Sequence, residues 1–105
     1  MTTRQRKFNL KSLERRFGTL TLGRFIAAWR LSECLSQREF ARKISMSAAN
    51  LCDIEKGRKG VSILKAAQIA KVIGFSPTVL VQLALQAQVE ASGLRYEVEV
   101  KARAA

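Results

Sequence analysis

One signal recurs five times along the chain: an apolar residue, then a serine or threonine, then apolar side chains at helical spacing. Leu20 precedes Thr21, Leu35 precedes Ser36, Met46 precedes Ser47, Val61 precedes Ser62 and Phe75 precedes Ser76. A hydroxyl in that place can accept from the free N–H groups of a first helical turn. Four of the apolar residues also have a large apolar side chain five positions on, at Phe25, Phe40, Leu51 and Leu80, the spacing of a hydrophobic staple. Ser36 and Glu39 complete a capping box, and Pro77 takes a first helical position, where a missing N–H costs nothing. Gly18, Gly57, Gly74 and Gly93 follow helical stretches, as left-handed closing residues do. The pattern predicts helices near 10–17, 22–33, 37–44, 48–56, 63–73 and 77–91.

The stripes on these helices point to one centre. Leu22, Phe25, Ile26 and Trp29 recur at i, i+3, i+4 and i+7; Phe40, Ala41 and Ile44 follow, then Leu51 and Ile54, then Ile69, Ala70 and Ile73. The expected architecture is all-α. On the last helix Leu80, Leu83, Ala84 and Ala87 form one apolar stripe, and Val81, Leu85 and Val89 a second, which asks for a second partner. Residues 94–101 change period: Leu94, Tyr96, Val98 and Val100 alternate with Arg95, Glu97, Glu99 and Lys101, as in a half-buried strand. A lone strand lacks a ladder partner, and the simplest remedy is the same strand of a second copy, antiparallel and centred on Glu97. The expectation is therefore a homodimer joined through Val81, Leu85, Val89, Leu94, Tyr96, Val98 and Val100, against the plainer alternative of a frayed tail. The chain divides into a basic arm and short helix at 1–18, a helical domain at 20–83, and a helix end with its strand at 84–105.

Composition narrows the chemistry. At 105 residues and 48% hydrophobic, the chain suits one small domain with one core. It contains no histidine and only two cysteines, Cys34 and Cys52, so the commonest acid/base and metal ligand is missing and a four-ligand zinc site is out of reach. No glycine-rich phosphate loop or carboxylate cluster replaces them. The expectation is a non-enzyme with no cofactor, no metal and no catalytic residue. No apolar run approaches the roughly 18 residues that cross a bilayer, and charged residues from Lys11 to Arg16 interrupt any secretory signal. A cytoplasmic, nucleoid-associated location follows as an expectation.

Charge then names the partner class. The net charge is +11, and residues 1–30 alone carry eight basic side chains against Glu14. Such a field suits a polyanion: nucleic acid, an anionic membrane surface or an acidic protein, with a merely solvated basic face as the alternative.

The stretch LSQREFARKISMSAANLCDIEKGRK at 35–59 decides among these. Two short helices are joined by the link 45–47, with small Ala41 at their approach and Phe40, Ile44, Leu51 and Ile54 wedged between them. This is a helix-turn-helix pattern, which holds its second helix outward for a major groove. From about Leu20 through AAQIAKVIGFSP to about Leu83, the chain resembles the lambda-repressor-like (Cro/cI, XRE-type) DNA-binding family. The resemblance implies a five-helix bundle, dimeric on palindromic operators. It also implies roles for residues at matching positions. Gln37 would contact the DNA backbone and brace the recognition helix, with Arg38 at the motif's edge. Ser47, Ala48, Ala49, Asn50 and Asp53 would form the base-reading face. Lys56, Arg58 and Lys59 would grip phosphates, and Glu55 would brace the fold. Two departures matter. Ser45 stands where the family often has glycine, and Ala48 and Ala49 offer no hydrogen bonds, which leaves Asn50, Arg38 and Asp53 as readers and shifts affinity to phosphate contacts and DNA shape. Arg4 and Arg6 suit a minor-groove arm or a solubilising tail.

The run from SILKAAQ to LRYEVEVKA further resembles small regulators of toxin–antitoxin or phage-like modules. The expected function is a sequence-specific double-stranded-DNA-binding regulator, an autoregulating repressor of the antitoxin or phage-repressor type. The rival reading is a protein-interaction module, a toxin-neutralising antitoxin whose partner is a cognate toxin and whose DNA binding is secondary. RNA binding lacks an aromatic stacking platform.

Overall fold

The computed structural model describes residues 20–103, which contain five helices. They are α1 (Leu22–Ser32), α2 (Gln37–Lys43), α3 (Ala48–Glu55), α4 (Ile63–Ile73) and α5 (Pro77–Ala91). Each lies within a residue of the expected bounds. The helix expected near 10–17, Gly18 and the arm residues Arg4 and Arg6 lie outside the described residues.

The starts follow the serine and threonine signal in four of five cases. Thr21, Ser36, Ser47 and Ser62 each accept from the backbone N–H three residues on. Ser76 makes no such bond; Pro77 opens α5 instead through its fixed φ. At Ser36 the capping box closes fully, with the Ser36 N–H donating to Glu39 Oε1 at 2.8 Å. That backbone donor holds the Glu39 carboxyl below its ordinary range. Its contribution is therefore present above the unfolded carboxyl value and is lost as acid carries the pH down through the folded one.

All five helices end alike. The last helical turn is closed by a pair of backbone bonds around one left-handed residue: Cys34, Ser45, Gly57, Gly74 or Gly93. For α2, Met46 N–H donates to Ala41 O at 2.9 Å and Ser45 N–H to Arg42 O at 3.3 Å, with Ser45 at φ +58°. A side chain in that region costs about 1–2 kcal/mol, partly offset because glycine is freer in the unfolded chain. Ser45→Gly is accordingly expected to raise stability by about 0.5–1 kcal/mol. Chemical denaturation checks it; an unchanged or lower midpoint would show that the serine is accommodated without strain.

The core is assembled from the expected stripes. Phe25, Ile26, Phe40, Leu51, Ile69 and Leu80 are its largest fully buried side chains, with Ala41, Ala66, Ala70 and Ala84 where helices approach closely. Trp29 and Ile73 are half-buried and pack against it from the edge, and Ala87 is exposed rather than inward. Ring contacts tie distant segments, Phe25 to Phe75 at 5.0 Å and Trp29 to Phe40 at 5.4 Å between centroids. α4 packs on α5, α2 on α3, and α1 on both α3 and α5.

The expected C-terminal strand is not formed: no strand occurs among the described residues. Residues 96–100 instead run back along α5, bonded to its glutamines. Gln86 donates to Tyr96 O (2.8 Å) and accepts from Val98 N–H (2.7 Å), and Gln82 accepts from Val100 N–H (3.0 Å). The reason is geometric. Two residues of extended chain rise about 6.6 Å, close to the roughly 6 Å between i and i+4 on a helix, so the two amides meet alternate tail residues in register. Val81, Leu85 and Val89, next to that row, are half-buried within the single chain, as are Val98 and Val100, while Leu94 and Tyr96 are exposed.

Candidate nucleic-acid interface

α2 and α3 form the helix-turn-helix. Between them, Lys65 of α4 reaches across and donates to the Ile44 carbonyl at 2.6 Å, a helix-end oxygen left open by the turn. Nothing in the spacing pattern announces this bond, because Lys65 lies 21 residues away.

The far end of α3 is fixed by a carboxylate. Glu55 accepts from Arg30 through Nε (2.8 Å) and Nη2 (3.0 Å) and from the Gln37 amide (2.9 Å), while Arg30 Nη1 donates to Leu35 O (2.8 Å). The side chains of Arg30 and Glu55 are only 12% and 6% exposed, so this bidentate pair is shielded from water. Hydrogen bonding to Glu55 shifts the Arg30 pKa upward. One network therefore joins α1, the α1–α2 link, the first residue of α2 and the last of α3. The bracing roles expected of Gln37 and Glu55 fit this geometry; Arg30 as its hub was not foreseen.

Gly23 was missed as well. It is buried in α1 against the last turn of α3, where an added Cβ would collide with the Ile54 carbonyl oxygen and crowd that of Glu55. The backbone of α1 thus sets the height of α3 above the core.

α3 turns Leu51 and Ile54 inward, and Ala48 also packs against the core. Its outer side presents Ala49, exposed, with Asn50 and Asp53 half-buried. Ser47, exposed at the N-cap, accepts from Asn50 N–H at 3.0 Å. Arg38, Lys56, Arg58 and Lys59 are exposed, so every expected phosphate-gripping cation is open to solvent. Beyond Gly57 the chain folds back on α3: Arg58 and Lys59 N–H both donate to Asp53 O, at 2.8 and 3.2 Å. In the same loop Arg58 Nε donates to Asp53 Oδ1 (3.0 Å), and Lys59 Nζ to Asn50 Oδ1 (2.6 Å). Two of the three candidate readers, Asn50 and Asp53, are each held by a cation of the loop that follows them.

An outward helix on a rigid brace, rimmed by cations, is the geometry of a helix-turn-helix DNA-binding domain. The helix-turn-helix domain family matches residues 21–83, about three-fifths of the chain. The chain belongs to this family, within the lambda-repressor-like (XRE) class. No match was found among curated proteins or among solved structures. Among the described residues no helix is long and apolar enough to cross a membrane, and no group of three potential metal ligands occurs.

Proposed function

We propose that this protein is a sequence-specific regulator of transcription that binds a palindromic double-stranded operator as a homodimer, an autoregulating repressor of the antitoxin or phage-repressor type. The observation that carries the reading is α3 itself: its last residue is locked by Arg30 and Gln37, its outer residues Asn50 and Asp53 are met by Lys59 and Arg58, and Arg38 and Lys56 are exposed as well. Gln37, Arg38, Ser47, Ala48, Ala49, Asn50, Asp53 and the three loop cations are the proposed DNA-contacting set. Ala49 suits a thymine methyl, and the cations suit phosphates. Selection of bound sequences from random duplexes tests it. A conserved inverted repeat is expected, with log affinity falling by about 0.9 per phosphate contact for each decade of salt. Absence of enrichment, or binding indifferent to salt, would overturn the reading.

The tail supports the dimer. Backbone groups of successive residues in an extended segment point to opposite edges. With Tyr96, Val98 and Val100 turned to α5, those of Arg95, Glu97 and Glu99 lie on the outer edge. Two copies meeting antiparallel on that edge about Glu97 make two favourable Arg95–Glu99 cross-strand pairs, against one approach of Glu97 to its own copy on the axis. Exposed Leu94 and Tyr96 add apolar surface beside it. Truncation after Gly93 is expected to give monomers in sedimentation and to abolish binding to the inverted repeat at concentrations where the full chain binds. A truncated chain that still sediments as a dimer would place the interface elsewhere.

A further inference from the structure

The loop after α3 does more than carry charge. Gly57, left-handed at φ +79°, turns the chain so that the Arg58 and Lys59 amides share the Asp53 carbonyl. Lys59 is thereby tied at its backbone, and its ammonium ends 2.6 Å from Asn50 Oδ1. An ammonium has only donors, so the atom it meets must be the oxygen of the Asn50 carboxamide. The amide nitrogen, with both its hydrogens, is left on the other side and has no partner among the described residues.

The consequence concerns base choice. A free asparagine pairs with adenine by presenting oxygen and nitrogen side by side, the oxygen to the adenine amino group and the nitrogen to N7. An asparagine whose oxygen is held to one side presents donors alone. The major-groove edge that offers two adjacent acceptors is that of guanine, through O6 and N7. We propose that Lys59 is a specificity-determining residue acting through Asn50: it fixes the carboxamide with its donors outward, so that the recognition helix selects guanine over adenine at the base pair Asn50 faces. This inference rests on the DNA-binding reading above and deepens it. Lys59 is a positioning residue here, beyond its role as one phosphate-gripping cation among several.

Random-duplex selections with the full-length wild type and with Lys59→Met, Lys59→Arg, Asn50→Ala and Asn50→Asp test it. The base pair concerned is the one at which Asn50→Ala abolishes preference. Wild type is expected to enrich guanine there by roughly tenfold over adenine, the discrimination of one good bidentate contact. Lys59→Met should move the preference to adenine at that pair and leave the other positions unchanged, whereas Lys59→Arg, still a donor, should keep guanine. Asn50→Asp retains the partner for Lys59 but has no donors, and should lose guanine. If Lys59→Met weakens all sequences evenly and guanine persists, or if wild type selects adenine, the proposal is overturned while DNA binding stands. If wild type enriches nothing, the DNA-binding reading itself fails, and this inference with it.

Discussion

Gly23→Ala is expected to destabilise the protein by about 2 kcal/mol, although alanine is the better helix former. In an open helix the exchange would gain about 1 kcal/mol. Here the new methyl meets the Ile54 carbonyl oxygen, with the Ile54 and Glu55 carbonyl groups close behind it. Those atoms are backbone and cannot rotate away. Ile54 O is also the acceptor for Gly57 N–H, so pushing it aside disturbs the turn that carries the basic loop. Overpacking costs about 1–3 kcal/mol; against backbone that cannot yield the upper end applies, about 3 kcal/mol, which leaves a net loss of about 2 kcal/mol after the propensity gain. For a domain of this size each kilocalorie lowers the melting temperature by about 4–8 °C, so a fall of roughly 8 °C or more should appear in a thermal scan. A melting temperature at or above that of the wild type would mean that α1 slides on α3 at no cost, and that Gly23 does not set the height of the recognition helix.

That glycine also marks where sequence reading stops. The helix bounds were legible because each rests on local chemistry: Thr21, Ser36, Ser47 and Ser62 cap within three residues, and the staples act over five. Glycine as the second residue of a helix has no local signature, since its reason for being there is a carbonyl 31 positions away. Arg30 was likewise silent; its partner Glu55 lies 25 residues on, and only the likeness to a family pointed to that carboxylate as a brace. The tail shows the opposite failure. Its alternation predicts a half-buried strand that is not formed, and Leu94 and Tyr96 of the expected inner face are exposed, because periodicity cannot name the partner of the backbone. Gln82 and Gln86, which lie outside both apolar stripes of that helix, supply it within the chain. At the interface, Asn50 and Asp53 were legible as an outer face, whereas their capture by Lys59 and Arg58 depends on the turn at Gly57 bringing the loop back.

Glu55→Ala is expected to have the larger effect on the fold. It leaves the Arg30 guanidinium, 12% exposed, without its anion, and the Gln37 amide without its acceptor. Breaking a shielded pair by removing one partner costs about 3–5 kcal/mol, against a total stability of order 5–15 kcal/mol for a domain. Denaturation should therefore show a midpoint lowered by a large fraction, and DNA binding should fall with the folded population. Loss of stability alone would not reveal what the network is for, and the double variant Arg30→Met with Glu55→Leu separates the alternatives. Replacing both ions by apolar groups of similar size is often neutral or stabilising, so the fold should recover most of its midpoint. Gln37 then has no carboxylate to orient it, and the end of α3 has lost its polar anchor to α1. If the network exists to aim the recognition helix, the recovered double variant should still bind duplex DNA through its cations but discriminate the operator from random sequence less well. If it regains both stability and discrimination, packing alone positions α3 and the ion pair is dispensable. If it stays as unstable as Glu55→Ala, the loss reflects the Leu35 carbonyl and the Gln37 amide left without their partners rather than an uncompensated charge at Arg30.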